Sequence, residues 1–423
     1  MTDTETEVLV VGGGATGAGV ARDLAMRGVD VTLVDRGGLS TGTSGRSHGL
    51  LHSGARYADA DPAGAVECIE ENRIVRRIGG ACVRDTGGLF VALADDDPAY
   101  YERKRDACRE QGVPVEELDA EGAHDRATGL ADDVERALAV PDAVVYPSRL
   151  VAANAASARE HGARVRIDAP VTDLLVDDGT VVGARLDVDG DGDADRVVRA
   201  DYVVNATGAW AGELAALAGV DVEMRPTRGV MVALEYDGLG PVLNRCRPPA
   251  DGDIVVPHER QVVVGTTSVR VDDPDDYPRE EWEVERSIDE CARMLPGVAD
   301  APHERTWWGV RPLYGPDEDA RGATDSGVGE ARGISRGMVL LDHAADGADR
   351  LATVVGGKLT TYRRMAEAAA DHVCAALDVD APCRTADERL PGADDPAVLD
   401  RFVREFGADA PSDADVVGSG PAD

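Results

Sequence analysis

The sequence predicts an α/β fold, a Rossmann-like dinucleotide-binding domain into which a second domain built on an antiparallel sheet is inserted. Three observations carry this. A glycine-rich turn, Gly12-Gly13-Gly14-Ala15-Thr16-Gly17, joins an apolar run at 7–11 to a helical pattern that reaches about residue 27. Further downstream, apolar runs again end in small-residue turns, at Ala206-Thr207-Gly208 and at Gly356-Gly357. Between them, from about 222 to 271, the pattern changes to short runs such as 230–234, 254–256 and 261–266, typical of an antiparallel sheet. A chain of 423 residues, 43% of them hydrophobic, is long enough for two or three domains around a substantial core.

Residues 7–11 read as the first strand and 29–34 as the second, with Gly28 ending the helix between them and Asp35 closing the unit. In this β-α-β fingerprint each glycine has a task. Gly12 makes the tight turn, Gly14 lets backbone approach a pyrophosphate, and Gly17 lets the helix pack on the strand. The helix N-terminus attracts phosphate, and Asp35 is placed to accept from a ribose hydroxyl. The fingerprint does not separate FAD from NAD. The following segment, residues 42–52 (GTSGRSHGLLH), is small, polar and glycine-rich for longer than an ordinary βα loop, and suits a long flavin lined by backbone donors.

Residues 63–79 and 98–112 read as amphipathic helices with solvated charged faces, and 147–160 as a third helix. A hairpin is expected from 165–176 and 181–188, turning at Gly179. Residues 187–192 (DVDGDG) begin like a calcium loop. The twelfth position is Val198 instead of glutamate, and a strand precedes it, so a solvated turn is expected and no metal site. A strand at 196–205 returns the chain to Ala206-Thr207-Gly208. A helix follows at 280–295, then Trp307-Trp308-Gly309-Val310-Arg311-Pro312, a polar loop at 317–333, and strands at 338–341 and 351–355. Gly356-Gly357-Lys358 opens a helix to about 377. The acidic tail beyond Pro382 holds one amphipathic piece, 397–406, and ends in a linker-like GSGP at 418–421.

Lys+Arg number 44 against 80 Asp+Glu, a net charge of −36. A polyanionic partner such as nucleic acid is excluded by repulsion. Only Lys104 and Lys358 are lysines; every other cation is arginine. Dense carboxylates of this kind hold water and counterions, and molar salt screens their repulsion, so the charge pattern is that of an extreme halophile. The seven cysteines are widely spaced, without a C-x-x-C, and support neither a disulfide framework nor a zinc or iron–sulfur site. No apolar run approaches the ~20 residues that span a bilayer. Residues 1–7 lack the features of a signal peptide, so a soluble intracellular protein is expected.

Taken together, the stretches at 12–27, 42–57 (GTSGRSHGLLHSGARY), 205–210 (NATGAW), 243–267 (LNRCRPPADGDIVVPHERQVVVGTT), 308–313 (WGVRPL) and 356–364 (GGKLTTYRR) resemble the FAD-dependent glycerol-3-phosphate dehydrogenases. The closest resemblance is to the large flavoprotein subunit of the anaerobic, quinone-linked type. The resemblance implies a FAD-binding domain of the glutathione-reductase/D-amino-acid-oxidase type. It would be discontinuous, over 1–79, 140–215 and 335–378, with a substrate or cap domain over 80–139 and 216–334 and an acidic C-terminal extension over 379–423. It assigns FAD contacts to Gly12, Gly14, Ala15, Thr16, Gly17, Asp35, Arg36, Thr43, Ser44, Arg46, Ser47, Gly49, Leu51, Val171, Ala206, Thr207, Gly208, Gly357, Lys358, Leu359 and Thr360. It assigns the catalytic pocket to His52, Arg56, Tyr57, Arg311 and Lys358.

The chemistry of that family agrees with these residue types. Oxidising an alcohol needs a hydride acceptor, a base for the hydroxyl proton and a grip that fixes the reacting carbon. His52 has a suitable pKa range for the base. A phosphomonoester is nearly a dianion, and Arg56, Arg311 and Lys358 form a cationic grip in a chain that is otherwise strongly negative. The expected reaction converts sn-glycerol 3-phosphate to dihydroxyacetone phosphate. Relatives continue into a Cys-rich segment linked to iron–sulfur chemistry, and this chain has no clustered cysteines after Cys383. Partner subunits carrying iron–sulfur clusters and membrane attachment are therefore expected, with a quinone as final acceptor and a cytoplasmic, membrane-peripheral location. The alternatives are a related FAD enzyme acting on an amino acid or 2-hydroxy acid, and a flavin-binding protein that only relays electrons.

Overall fold

The computed structural model describes residues 4–187, 195–315 and 337–417. The calcium-like turn beyond Asp187, the polar loop at 317–333 and the linker-like 418–421 lie outside the described residues.

The strand Thr4–Val11 is the centre of an eight-stranded sheet. It pairs in parallel with Val31–Val34 on one side and with Asp195–Asn205 on the other. Four consecutive valines and leucines, 8–11, are buried on both faces, as a parallel sheet covered on both sides requires. The long strand Asp195–Asn205 changes neighbour along its length. Its first half pairs antiparallel with Thr180–Asp187, and its last three residues pair in parallel with Leu351–Gly356. Leu351–Gly356 is therefore delivered beside the end of the strand that leads into Ala206-Thr207-Gly208. The helices Ala15–Met26, Pro147–Glu160 and Tyr362–Ala376 pack together behind the sheet around Val8, Val10, Leu24, Leu33, Leu150 and Val204.

A nine-stranded sheet forms the second layer system. It includes Gly88–Leu93, Val134–Val140, Thr227–Glu235, Val242–Arg245, Ile254–Pro257 and Gln261–Gly265. The pairing is antiparallel throughout except where Val242–Arg245 runs parallel to Gly88–Leu93. The helix Glu281–Ala292 covers it and buries Cys291 with Met294 and Leu295. A small sheet of Leu50–Leu51, Ala143–Val145 and Val83–Arg84 fixes the segment that carries His52.

Three features differ from the sequence reading. Residues 165–176 are not one strand. Arg164–Arg166 pairs in parallel with Val31–Val34, and the hairpin proper is Val171–Asp177 with Thr180–Asp187. The break is held by two backbone bonds to the Asp35 turn, Asp168 N to Gly37 O and Ala169 N to Asp35 O, and it brings Val171 to the cavity. Residues 307–311 belong to a full strand, His303–Arg311, that runs the length of Thr227–Glu235. Finally, residues 383–417 pack onto the body of the protein. Leu390, Leu399, Phe402, Val403 and Phe406 join the core behind the sheet. Buried Arg22 donates to Ser157 Oγ and to the carbonyls of Thr385 and Glu388, and Arg149 forms a bidentate pair with Asp400. All seven cysteines are free, and all but Cys383 are buried.

Candidate active site

The glycine turn has three differently constrained positions. Gly12 has φ +105, and a Cβ there would lie 2.6 Å from the carbonyl oxygen of Ala206. A Cβ on Gly17 would lie 1.8 Å from the carbonyl oxygen of Gly12. Both glycines are demanded by the packing of strand, helix and the second turn. Gly14 is unlike them, because the nearest atom to its Cβ position is Ser44 Oγ at 3.2 Å. It faces open cavity, so a side chain there would fill the cradle without disturbing the fold.

Polar groups complete this end. Ala15 N, at the start of the helix, donates to Ser44 Oγ at 3.0 Å. The Asp35 carboxylate accepts from Gly13 N at 2.6 Å and Gly37 N at 2.9 Å. Burial pushes the Asp35 carboxyl above its ordinary range, and the two N–H donors act against that rise. Beyond it, Arg36 forms a bidentate pair with Asp275 at 3.0 and 2.8 Å and stacks on Trp210, whose Nε1 donates to the same carboxylate at 2.9 Å. Asp275 thus ties the mouth of the cavity to both turns. Burial raises its pKa, but the Arg36 bonds outweigh burial and hold it below the ordinary range.

One cavity of about 1130 Å³ extends from this cradle to the second sheet. Most of the predicted contacts line it: Gly12, Gly14, Ala15, Thr16, Asp35, Arg36, Thr43, Ser44, Arg46, Ser47, Val171, Ala206, Thr207, Gly208, Gly357, Lys358 and Leu359. Four do not reach its wall. Gly17 packs helix on strand, Leu51 is core, and Gly49 makes a turn at φ +71. The buried Thr360 hydroxyl accepts from His52 N at 3.0 Å. These four act from behind the wall, where spacing alone could not separate them from contacts.

All five predicted catalytic residues line this same cavity. The His52 ring is nearly buried, and its Nε2 lies 3.4 Å from Tyr57 Oη. The Lys358 ammonium sits 4.4 Å from the centre of the Tyr57 ring and 3.7 Å from Asp61. Arg56 lies 3.7 Å from Asp253. Arg311 ends the strand His303–Arg311. Its guanidinium is fixed by Thr227 Oγ1 at 3.4 Å, Arg228 O at 3.3 Å, Thr266 Oγ1 at 3.1 Å and Thr267 O at 2.9 Å. Behind Arg56, burial pushes the Asp253 carboxyl up, while Arg56 and Arg247 pull it down. Arg247 donates to Asp253 through Nε at 2.9 Å.

Sequence reasoning missed Asp61, Trp210, Asp253 and Asp275. Asp253 lies inside the 243–267 stretch already singled out, but nothing in its spacing marks it as the partner of Arg56. Asp275 lies in an acidic run, DDPDD, that reads as solvated surface.

The cavity fits a flavin dinucleotide in size and lining. Gly14 leaves room for a phosphate against backbone, the Ala15 amide and Ser44 stand beside it, and Asp35 closes the end of the second strand. A protein-family model described as "FAD dependent oxidoreductase" matches residues 7–363. The chain is 52% identical over 413 residues to the A1 component of the anaerobic glycerol-3-phosphate dehydrogenase of Haloferax volcanii, covering 96% of this chain and 69% of the relative. It is 42% identical to the corresponding component of the anaerobic glycerol-3-phosphate dehydrogenase of Escherichia coli K12, covering 93% of this chain and 71% of that one. In fold it is similar to the glycerol-3-phosphate dehydrogenase of Bacillus halodurans complexed with FAD, with a TM-score of 0.69, 24% identity, and coverage of 96% of this chain and 72% of the other. The glycine cradle, the cavity and these similarities agree, and the chain belongs to the FAD-dependent oxidoreductases, in the branch of the anaerobic glycerol-3-phosphate dehydrogenases, with FAD as its cofactor.

Proposed function

We propose that this chain oxidises sn-glycerol 3-phosphate to dihydroxyacetone phosphate, and that the electrons leave through partner subunits carrying iron–sulfur clusters to a quinone at the cytoplasmic membrane. The observation that carries the substrate reading is that Arg56, Arg311 and Lys358 line the same cavity as His52 and Tyr57, in a protein with a net charge of −36. Such a local cationic site suits a dianionic handle. Bound FAD supplies the two-electron acceptor for the hydride leaving C2. His52 takes the hydroxyl proton on Nε2, the nitrogen that faces Tyr57 Oη. Arg311, its guanidinium held by four oxygen acceptors, presents a fixed positive charge to the phosphate, and Lys358 adds a point charge at the turn into the helix Tyr362–Ala376. The partner reading is supported by the names of the relatives, which describe each as one subunit of its enzyme. Among the described residues no helix is long and apolar enough to cross a membrane, so on this reading attachment comes from the partners.

The test is anaerobic reduction of the FAD-loaded protein. Glycerol 3-phosphate bleaches the flavin absorbance, and glycerol and lactate at the same concentration do not. Bleaching by lactate, or by none of the three, rejects the reading.

A further inference from the structure

The first of the chain's two lysines, Lys104, lies outside the cavity and does not enter the chemistry above. Lys104 is on the helix Pro98–Glu110 and is 1% exposed. Its Nζ donates to Ala55 O at 3.2 Å and to Arg56 O at 3.3 Å, and it bonds the Asp59 carboxylate. The rings of Tyr100 and Phe90 lie 5.3 and 5.8 Å from the ammonium. The segment it holds is a tight turn, closed by Tyr57 N to Gly54 O, Ala60 N to Tyr57 O and Asp61 N to Tyr57 O. This turn carries Arg56 and Tyr57 into the cavity and ends at Asp61, which caps the next helix by accepting from Gly64 N.

Two physical points make this more than packing. A buried ammonium is costly unless all its donors are used, and here three donors meet three oxygens. A chain that uses arginine for all its other cations keeps lysine where a compact tetrahedral donor is needed, since a planar guanidinium cannot converge on three acceptors around one point. The other lysine, Lys358, rests on the ring of Tyr57 from within the cavity. Both lysines thus act on the same short turn, one through a side chain and one through the backbone carbonyls.

We infer that Lys104 is a positioning residue for the phosphate end of the site: by pinning the carbonyls of Ala55 and Arg56 it fixes the turn from which Arg56 and Tyr57 reach the substrate. This rests on the substrate reading above, with Arg56 in the phosphate grip.

The test compares FAD-loaded parent, Lys104→Met, Arg56→Ala and the double variant in high salt, by steady-state turnover of glycerol 3-phosphate with a dye acceptor and by hydrogen–deuterium exchange at residues 54–61. Lys104→Met is expected to retain FAD and to lower kcat/KM about tenfold, mostly through KM. In the Arg56→Ala background the same change should cost less than about threefold, the non-additivity of groups that act as one. Lys104→Arg should not rescue. Exchange at 54–61 should accelerate in Lys104→Met. Parent-like kcat/KM, or an equal loss in both backgrounds, overturns the inference. So does unchanged exchange at 54–61, a readout that needs no turnover and stands if the parent proves inactive on glycerol 3-phosphate, which would reject the substrate reading alone. If Lys104→Met does not fold, Asp59→Asn removes one of the three contacts and is judged by the same coupling and exchange criteria.

Discussion

The two ends of the cavity are built in opposite ways. The cradle end comes mainly from one continuous stretch, residues 4–37, and works mainly through backbone: two glycines pressed against carbonyls, one glycine facing open space, and amide donors of Gly13, Ala15 and Gly37. The candidate catalytic residues come from three separate segments, at 52–57, 311 and 358, and would work through side chains. Their precision is borrowed from neighbours: Thr360 on the His52 backbone, Asp253 near Arg56, and threonine hydroxyls and carbonyls around Arg311. A site made of backbone thus tolerates no added atom at its packed points, whereas a site made of side chains fails by degrees.

The largest effect is expected at the packed point of the cradle. Gly17→Val places carbon where Gly12 O stands 1.8 Å from the Cβ position, so helix and strand cannot dock, and soluble, FAD-loaded protein should be lost altogether. Gly14→Val is the contrast: its Cβ position meets only Ser44 Oγ, so folded protein without flavin is expected. Circular dichroism and the flavin absorbance ratio distinguish the two. A Gly17→Val protein that keeps FAD breaks the contrast at its root.

At the catalytic end, Arg311→Ala should lower kcat/KM for glycerol 3-phosphate at least about thirtyfold, since a desolvated charge-assisted pair is worth roughly 2–5 kcal/mol. FAD content should hold, because the cradle is untouched. Arg311→Lys keeps the charge but cannot reproduce the four-acceptor geometry, and should recover only part of the loss. Parent-like kinetics in Arg311→Ala would remove it from the phosphate grip.

A third, smaller effect tests how the C-terminal segment supports the cradle. Asp413 is buried and accepts from Ser148 N and Oγ at the start of Pro147–Glu160, the helix that packs on Ala15–Met26. Burial raises its pKa to about 6, against the pull of the Ser148 bonds. A raised acid contributes stability that is complete below its ordinary value and lost as pH rises through the folded value. The unfolding free energy should therefore fall between about pH 4 and somewhat above pH 6 by an amount that Asp413→Asn removes, measured as the difference between the two pH profiles in denaturant. Parallel profiles would show that this contact is not linked to protonation.

The smallest effect belongs to Arg36. Its bidentate pair with Asp275 is half exposed on both sides, where ion pairs contribute about 0–1 kcal/mol. Arg36→Ala should weaken FAD retention by no more than about fivefold and leave kcat unchanged. A loss as large as that of Gly14→Val would mean that the mouth of the cavity, and not its floor, holds the cofactor.

Local rules sufficed for the cradle. Gly12 and Gly17 could be assigned their packing tasks, and Asp35 its place at the strand end, from spacing because the turn, the helix start and the strand end are fixed by the backbone of one short unit. Family motifs named His52, Arg56, Tyr57, Arg311 and Lys358, but nothing local to any of them states that the five line one cavity. That required Leu351–Gly356 to pair beside Asp195–Asn205 and His303–Arg311 to run along Thr227–Glu235. The same limit hid Asp253, which nothing in its local sequence marks, and Asp275, which reads as part of an acidic run, until the fold set each against an arginine. It also hid the packing of 383–417, whose apolar residues are sparse among charges but fall on one face of Pro396–Glu405. The sequence by itself determined the cradle, the charge and the cofactor class, because each depends on neighbours along the chain or on composition. Which of the candidate site residues share one cavity, and which carboxylates stand beside them, were decided by tertiary structure, because side chains far apart in sequence acquire their distances, and hence their electrostatics, only when the two sheets close on one cavity.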